Sequence, residues 1–377
     1  MSELGGRPLT VLHLAANRWW TGSADPVIRL VVALRQRGHH ALLGMIPGDR
    51  FEAKAREAGL EPIAGLRLRA HGEPLALARD VTRIRSVVAE EGVDVIHAHH
   101  SHDHWLGALS ALRLSGGTRV PVVRTFHNLR SVRRSLLARA LYRRTAAAFA
   151  VSRQIEGRCR ELGLLPARVR WIPGMADLPR FSPDERGDAI REEFKLGTAP
   201  VIVTVSRLAP NRGHEQLLAG FRLLLGRMPE ARLLLVGKGE TRARLEALVH
   251  DLGLGDRVIF TGYRDRDLPA VLGAAHCFAL MASGSDDSCR AALEAMAAGR
   301  PVVARRVGAL PETIEHGATG WLSDDERPDS VAAALERVLG DRSVGHAMGL
   351  AGRRRVEEEF SPERAVSIVD EVYRTLV

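Results

Sequence analysis

Short apolar runs alternate along the chain with longer stretches whose apolar residues recur every three or four positions. In the first half the runs are Leu9–Ala15, Ala41–Met45, Val93–Ala98, Val120–Thr125, Ala146–Ser152 and Arg168–Pro173. In the second they are Pro200–Ser206, Ala231–Gly237, Arg257–Gly262, His276–Met281 and Pro301–Ala304. Helical periodicity fills the intervals, as over Pro26–Arg37 and Leu75–Glu90. Strands that are apolar at successive positions are covered on both faces, and strands alternating with helices pair in parallel as βαβ units. The expected fold class is α/β, with two doubly wound, Rossmann-like sheets.

The polar, Pro- and Gly-containing stretch Phe181–Pro200 separates the two arrays. It predicts an amino-terminal domain over 1–185 and a carboxy-terminal one over 196–360. The tail Pro362–Val377 carries Ala365, Ile368, Val369, Val372 and Leu376 at helical spacing. A helix over 361–377 is expected to pack back on the first domain. Ligands of such sheets bind beyond the carboxyl ends of the strands, so two domains facing a common interdomain cleft would hold them there.

Length and composition narrow the picture. At 377 residues the chain suits two domains. No apolar run approaches the ~18–20 residues a spanning helix needs. The start, MSELGGRPLT, has no basic segment followed by an apolar one, so a cytoplasmic protein is expected. Cys159, Cys277 and Cys289 are scattered and odd in number, which argues against a disulfide framework and a paired-cysteine metal site.

The net charge is +9, but only Lys54, Lys195 and Lys238 are lysines, so the basicity reflects arginine bias. It is also local: His104 to Ile155 holds ten arginines and no carboxylate. An anionic partner drawn by the field meets this region first. Within it, 129–144 reads either as a segment resting on an anionic membrane leaflet or as a solvated basic helix, because its arginines do not segregate to one face. The chain has no recognised nucleic-acid motif and only three tyrosines, so no nucleic-acid partner is expected.

The richest segment is Ala282–Ala304, ASGSDDSCRAALEAMAAGRPVVA. A strand ends near Met281, a small polar loop follows, and a helix over Cys289–Ala298 with Ser288 as N-cap is expected. Free N–H groups at a helix start behind such a loop favour an anion. Glu294 lies ~1.5 turns into that helix and Asp286 in the loop before it. Either the two carboxylates accept hydrogen bonds from sugar hydroxyls, or Glu294 is solvated and Asp286 caps a turn. In VSRLAPNRGHEQLL, Arg207 follows a buried strand and Arg212 precedes a helix. Two guanidinium groups there suit a diphosphate; on residues alone, two surface arginines is an equal reading.

Taken together these segments resemble a family 4 glycosyltransferase of the GT-B fold, over nearly the whole chain and most strongly from Pro200 to Leu322. The family's paired acids, with seven residues between them and followed by Ala-Met-Ala-x-Gly-x-Pro-Val-Val, match Asp286, Glu294 and AMAAGRPVV. Its Arg-x4-Lys clamp matches Arg207 and Arg212. LLLVGKGE, VIFTGYRDRDLPAVL, IPGMADLPRFSP, DVIHAH and TFHNLR match further family segments. This chain departs in Asp286 for Glu, in DDSC for Glu-Gly-Phe-Gly, in Arg212 for Lys, and in a single Gly22 where the family often has two glycines.

The resemblance implies a retaining transfer of a sugar from a nucleotide-diphosphate donor to a glycan or glycolipid acceptor, in lipopolysaccharide or other envelope glycan synthesis, on the inner face of the membrane. It implies Arg207 and Arg212 on the diphosphate, Glu294 on the ribose, Asp286 on the donor sugar and His127 near the anomeric centre. Donor contacts are expected from Gly22, Gly237, Lys238, Tyr263, Arg264, Asp287, Ser288, Cys289 and Arg290, and acceptor contacts from Trp19, Trp20, His102 and Asp103. Packed tryptophans are the alternative for the first pair. No cofactor and no metal are expected: HAHHSHDHW matches no zinc spacing, and VGKGE lacks the third glycine of a dinucleotide fingerprint. An inactive or non-enzymatic arginine-rich polyanion-binding protein of the same fold is the alternative function.

Overall fold

The strands expected from the apolar runs all form, together with one more. The computed structural model describes residues 6–20, 22–68, 74–111, 119–164, 166–282 and 289–377. The chain divides into a first unit, Met1–Met175 with Pro362–Val377, and a second, Ala176–Ser361.

The first unit's strands are β1 (Thr10–Ala15), β2 (His40–Met45), β3 (Val95–Ala98), β4 (Val122–Phe126), β5 (Ala147–Ala150) and β6 (Val169–Trp171). They pair in parallel in the order β2-β1-β3-β4-β5-β6. The successive residues Val11, Leu12, His13 and Leu14 of β1 are all buried, as a strand covered on both faces requires. The order reverses between β1 and β3, so their carboxyl ends flank the crevice where such sheets take ligands.

The tail helix Pro362–Arg374 belongs to this unit. Ala365, Val366, Val369, Val372 and Tyr373 join its core beside the helix Asp25–Gln36. The buried Asp370 carboxylate ties this helix to its neighbours, ion-paired to Arg37 at 3.1 Å and Arg374 at 2.9 Å and 3.2 Å from the His39 imidazole, which burial keeps neutral.

The second unit comprises β7 (Val201–Val205), β8 (Arg232–Val236), β9 (Val258–Gly262), β10 (Cys277–Leu280), β11 (Val302–Arg305) and β12 (Gly320–Ser323), the last without a counterpart in the sequence reading. All pair in parallel in the order β12-β11-β10-β7-β8-β9, which reverses between β7 and β10.

The stretch Phe181–Pro200 is not a linker. It lies within the second unit, with Phe181, Ile190 and Leu196 buried. Arg353 donates to the Phe181 carbonyl at 2.6 Å, and Arg191 to that of Ala274 at 3.2 Å. Three apolar anchors spaced through a polar stretch outweigh its loop-like composition. The division falls instead at Met175/Ala176. The basic stretch 129–144 is also interrupted: a 3-10 turn covers Leu129–Ser131, and a helix begins only at Leu136, where Ser135 Oγ accepts from the Ala138 amide at 3.2 Å.

Candidate functional site

In the second unit the residues singled out from sequence gather at the reversal between β7 and β10. The loop after β7 carries Arg207 and Arg212 and enters the helix His214–Leu224 through Gly213. Gly213 has φ +74°, and a Cβ there would sit 1.8 Å from the Met281 carbonyl oxygen at the end of β10. Two backbones therefore touch, and only glycine permits it. The β8 loop is held as closely: a Cβ on Gly237 would lie 1.9 Å from the Ser206 carbonyl oxygen, and one on Gly239 1.9 Å from that of Leu208. The two glycines of VGKGE serve backbone approach between neighbouring loops. Gly213→Ala is expected to destabilise the second unit by at least about 2 kcal/mol, from a left-handed backbone plus the clash. Urea unfolding checks it, and an unchanged midpoint would contradict the close contact.

His214, the first residue of that helix, is buried, with Nε2 2.9 Å from Ser206 Oγ. Burial first, then the nearby Arg212 charge, lowers its pKa to about 4. The helix starts with a neutral imidazole. Arg212 is exposed. Arg207 is also exposed, and its Nη2 donates to Glu240 Oε2 at 2.9 Å, beyond β8 and so on the side of β7 away from β10. Arg207, expected on the diphosphate, is thus held on the β8 side by Glu240. Solvent screens this ion pair, 67% and 53% exposed, so an incoming anion can displace Glu240.

The helix after β10 begins at Arg290, one residue later than expected, with Cys289 at its N-cap position in a left-handed conformation (φ +46°). Cys289 is buried. Glu294 is buried too, and its Oε1 accepts from Arg290 Nε at 2.8 Å. The reading of Glu294 as a solvated helix residue therefore fails. Asp286, Asp287 and Ser288 lie outside the described residues. Lys238 and Tyr263 are exposed at the ends of β8 and β9. Arg264, expected on the donor, is engaged by Glu193 and Asp267, the latter at 2.6 Å, and lies 5.2 Å over the Phe194 ring. It braces this edge of the unit, and its hydrogen bonds to Glu193 and then Asp267 raise its pKa.

In the first unit the corresponding ends of β1, β3 and β4 hold a buried histidine network. His13 Nδ1 lies 3.1 Å from His99 Nε2, and His99 Nδ1 3.2 Å from His127 Nε2. His97 stacks on His99 with ring centroids 4.4 Å apart, and its nitrogens meet Tyr373 Oη at 2.5 Å and Thr125 Oγ1 at 2.7 Å. Nitrogens of His13, His97 and His99 come within 4.8 Å of one another, but both of His97 are occupied by hydrogen-bond partners. The cluster is a hydrogen-bonded network built from the core.

Burial lowers all these histidines, His13 to about 3 and His97, His99 and His127 well below the usual value, so they are neutral. His13 Nε2 has no partner among the described residues. A buried bare acceptor is more tolerable than an orphaned N–H. Donation therefore runs from His13 to His99 to His127, which leaves the His127 proton on Nδ1.

Asp103, expected at the acceptor, is a fully buried cap. Its Oδ2 accepts from the Ala16 amide at 3.1 Å and the His100 amide at 2.9 Å, tying the ends of β1 and β3 together. Burial raises it to about 6. His102 is half-buried beside it. Trp20 packs on the core, whereas Trp19 is 70% exposed. Gly22 is half-buried in the turn before the helix Asp25–Gln36. His13 and Arg124 are functional candidates that motif and spacing do not mark; each is the one ionisable residue of an otherwise uncharged strand, and that placement is the available signal.

Residues 186–355 match the family described as "Glycosyl transferases group 1", and residues 21–180 "Glycosyltransferase Family 4". The chain is 32% identical over 333 residues to a GDP-mannose-dependent alpha-(1-6)-phosphatidylinositol monomannoside mannosyltransferase of Mycobacterium tuberculosis, covering 83% of both chains. It is 31% identical over 351 residues to a D-inositol 3-phosphate glycosyltransferase of Actinosynnema mirum, covering 81% of this chain and 80% of that one. The Anabaena protein Alr3699/HepE, solved with UDP and glucose, matches 97% of this chain and 100% of its own, with a TM-score of 0.81 at 20% identity. That likeness shows the fold, two Rossmann-like domains of the GT-B type.

Proposed function

The chain belongs to the family 4 glycosyltransferases, and from that premise we propose that it moves a hexose from a nucleoside diphosphate to a phosphate-bearing polyol, free or lipid-linked, with retention of anomeric configuration. The second unit takes the donor. The observation that carries this is Glu294: a buried carboxylate, paired with Arg290, in the helix that leaves β10 beside the strand-order reversal. A carboxylate there accepts from ribose hydroxyls while the helix start faces the diphosphate. Arg207, released from Glu240, and Arg212 receive the charge that grows on the leaving diphosphate. These groups supply positive charge, so the reading includes no divalent cation and no cofactor.

The first unit takes the acceptor. His127, held through its Nε2 by His99, offers Nδ1–H to an oxygen near the anomeric carbon. Asp103 is tied to two backbone amides and makes a poor nucleophile for double displacement. A front-face route fits better: the acceptor proton passes to a donor phosphate oxygen as the glycosidic bond breaks.

Both relatives named above act, by name, on inositol compounds bearing a phosphate, which favours this acceptor class. The setting we read is envelope glycan or glycolipid assembly at the inner membrane face. No helix among the described residues is long and apolar enough to cross a membrane, so contact with the membrane would be peripheral. The test is incubation with UDP- and GDP-hexoses, with and without an inositol phosphate, in EDTA. Product formation with the anomeric configuration kept is expected; no turnover and no nucleotide binding would overturn the reading.

A further inference from the structure

Arg124 is a cation inside the core. It sits on β4 with 1% of its surface exposed, its Cζ 5.1 Å over the Phe126 ring. Its Nε and Nη1 find no hydrogen-bond partner among the described residues. The acid it feels most is Asp103, whose Oδ2 is taken by two amides. Burial lowers Arg124 only to about 10, so it stays charged at neutral pH. A buried charge without a hydrogen-bonded counter-ion is costly, and removing the charge by deprotonation is not open to it.

Two cavities open on Arg124, of about 590 and 260 Å³. The smaller is also lined by His100, His127, Arg130, Ser131 and Arg133, and neither cavity is lined by a carboxylate. Arg130 and Arg133 are exposed at the rim. The site thus has one fixed guanidinium at its floor, two adaptable ones at its mouth and the His127 Nδ1–H at its wall.

We propose that this pocket binds the phosphate group of the acceptor, a phosphomonoester or phosphodiester on a polyol. The proposal rests on the acceptor reading above and deepens it. Guanidinium forks match phosphate oxygens two at a time, and the phosphate supplies the hydrogen-bond acceptors that Arg124 Nε and Nη1 lack among the described residues. Anchored there, the polyol presents a hydroxyl beside His127. The phosphate can belong to a lipid headgroup or to a soluble sugar or cyclitol phosphate. Beside the larger cavity, Leu136 and Leu137 are 82% and 71% exposed, which gives the lipid source a place for its apolar part.

The experiment titrates myo-inositol 1-phosphate into the full chain by calorimetry. Binding is expected, at least about tenfold weaker in Arg124→Met and in Arg133→Ala, and lost when the probe is myo-inositol without phosphate. Arg133 is exposed, so its variant keeps the test valid if Arg124→Met fails to fold by circular dichroism. Wild-type affinity in both variants overturns the proposal. So does loss of binding confined to the double variant Arg207→Ala/Arg212→Ala, which would put the phosphate in the donor site. Sedimentation with phosphatidylinositol vesicles separates the sources: Arg133-dependent sedimentation that Leu136→Ser/Leu137→Ser abolishes assigns the lipid, and soluble binding alone assigns the free phosphate. Sugar transfer and nucleotide binding by the wild-type chain are read in parallel. The absence of both would sink the transferase reading and leave the pocket to stand on the titration.

Discussion

Arg207→Ala is expected to lower kcat/KM for sugar transfer about 10²–10³-fold, the size of effect seen when one preorganised donor to a developing anion is removed. The argument starts from position. Arg207 lies two residues past β7, at the point where the second sheet's strand order reverses, and its side chain is exposed. Its ion-pair partner among the described residues is the exposed Glu240, so truncation leaves the core untouched and the thermal midpoint should move by no more than a degree or two. Stability and activity then separate. Glu240→Gln gives the opposite sign, because it removes the carboxylate that competes with the diphosphate; the nucleotide should bind more tightly. Steady-state kinetics with the preferred nucleotide sugar, alongside nucleotide titration, checks both. An Arg207→Ala enzyme within threefold of wild type would remove this side chain from the mechanism.

What could be read from the sequence was set by how local each signal is. Strand positions were legible because both sheets are parallel and covered, so their strands are continuous apolar runs. β12 was missed: GWLS is four residues with no β-branched side chain, and its pairing with β11 supplies the identity the sequence lacks. Strand order leaves no local trace, so the two reversals, which place the loops after β1, β3, β7 and β10, appear only in the fold. Burial is equally non-local. Ten arginines between His104 and Ile155 look alike in sequence, and only the sheet separates Arg124, in the core, from Arg130 and Arg133 at the surface. Asp103 and Arg264 misled for the mirror reason: chemistry suited to a ligand was already committed to two amides in one case and to Glu193 and Asp267 in the other.

The first unit should unfold on mild acidification, ahead of the second. Unfolded, an imidazole takes its proton near pH 6.5. In the native first unit, burial holds His13 and His100 to about 3, and His97, His99, His104 and His127 well below their usual value. Positive neighbours add to this, Arg35 at His13 and Arg124 at His100, His104 and His127. Below pH 6.5 the unfolded chain therefore binds more protons than the native one. Stability is fully present above pH 6.5 and is lost as the pH falls toward the folded values.

Asp103 runs the other way. Raised to about 6, it keeps a proton in the native state that an unfolded aspartate near 3.9 gives up, so it returns some stability as the pH falls between those values. One such group stands against seven histidines, since burial lowers His39 as well. Each neutral imidazole contributes about 1.4 kcal/mol per pH unit, so a net uptake of several protons removes on the order of 5 kcal/mol per unit, comparable with the whole stability of a domain. The second unit has fewer such groups among its described residues, with His214 and His276 each lowered to about 4. Calorimetric scans at pH 7.5, 6.5 and 5.5 should show one transition moving down steeply and a second moving little. His104→Gln should flatten the slope of the first by about one proton, since His104 Nε2 meets only Thr145 Oγ1 at 2.8 Å and an amide can keep that contact. A midpoint that stays flat down to pH 5 would mean that the histidines are hydrated and that the buried network linking His13 to His127 does not form.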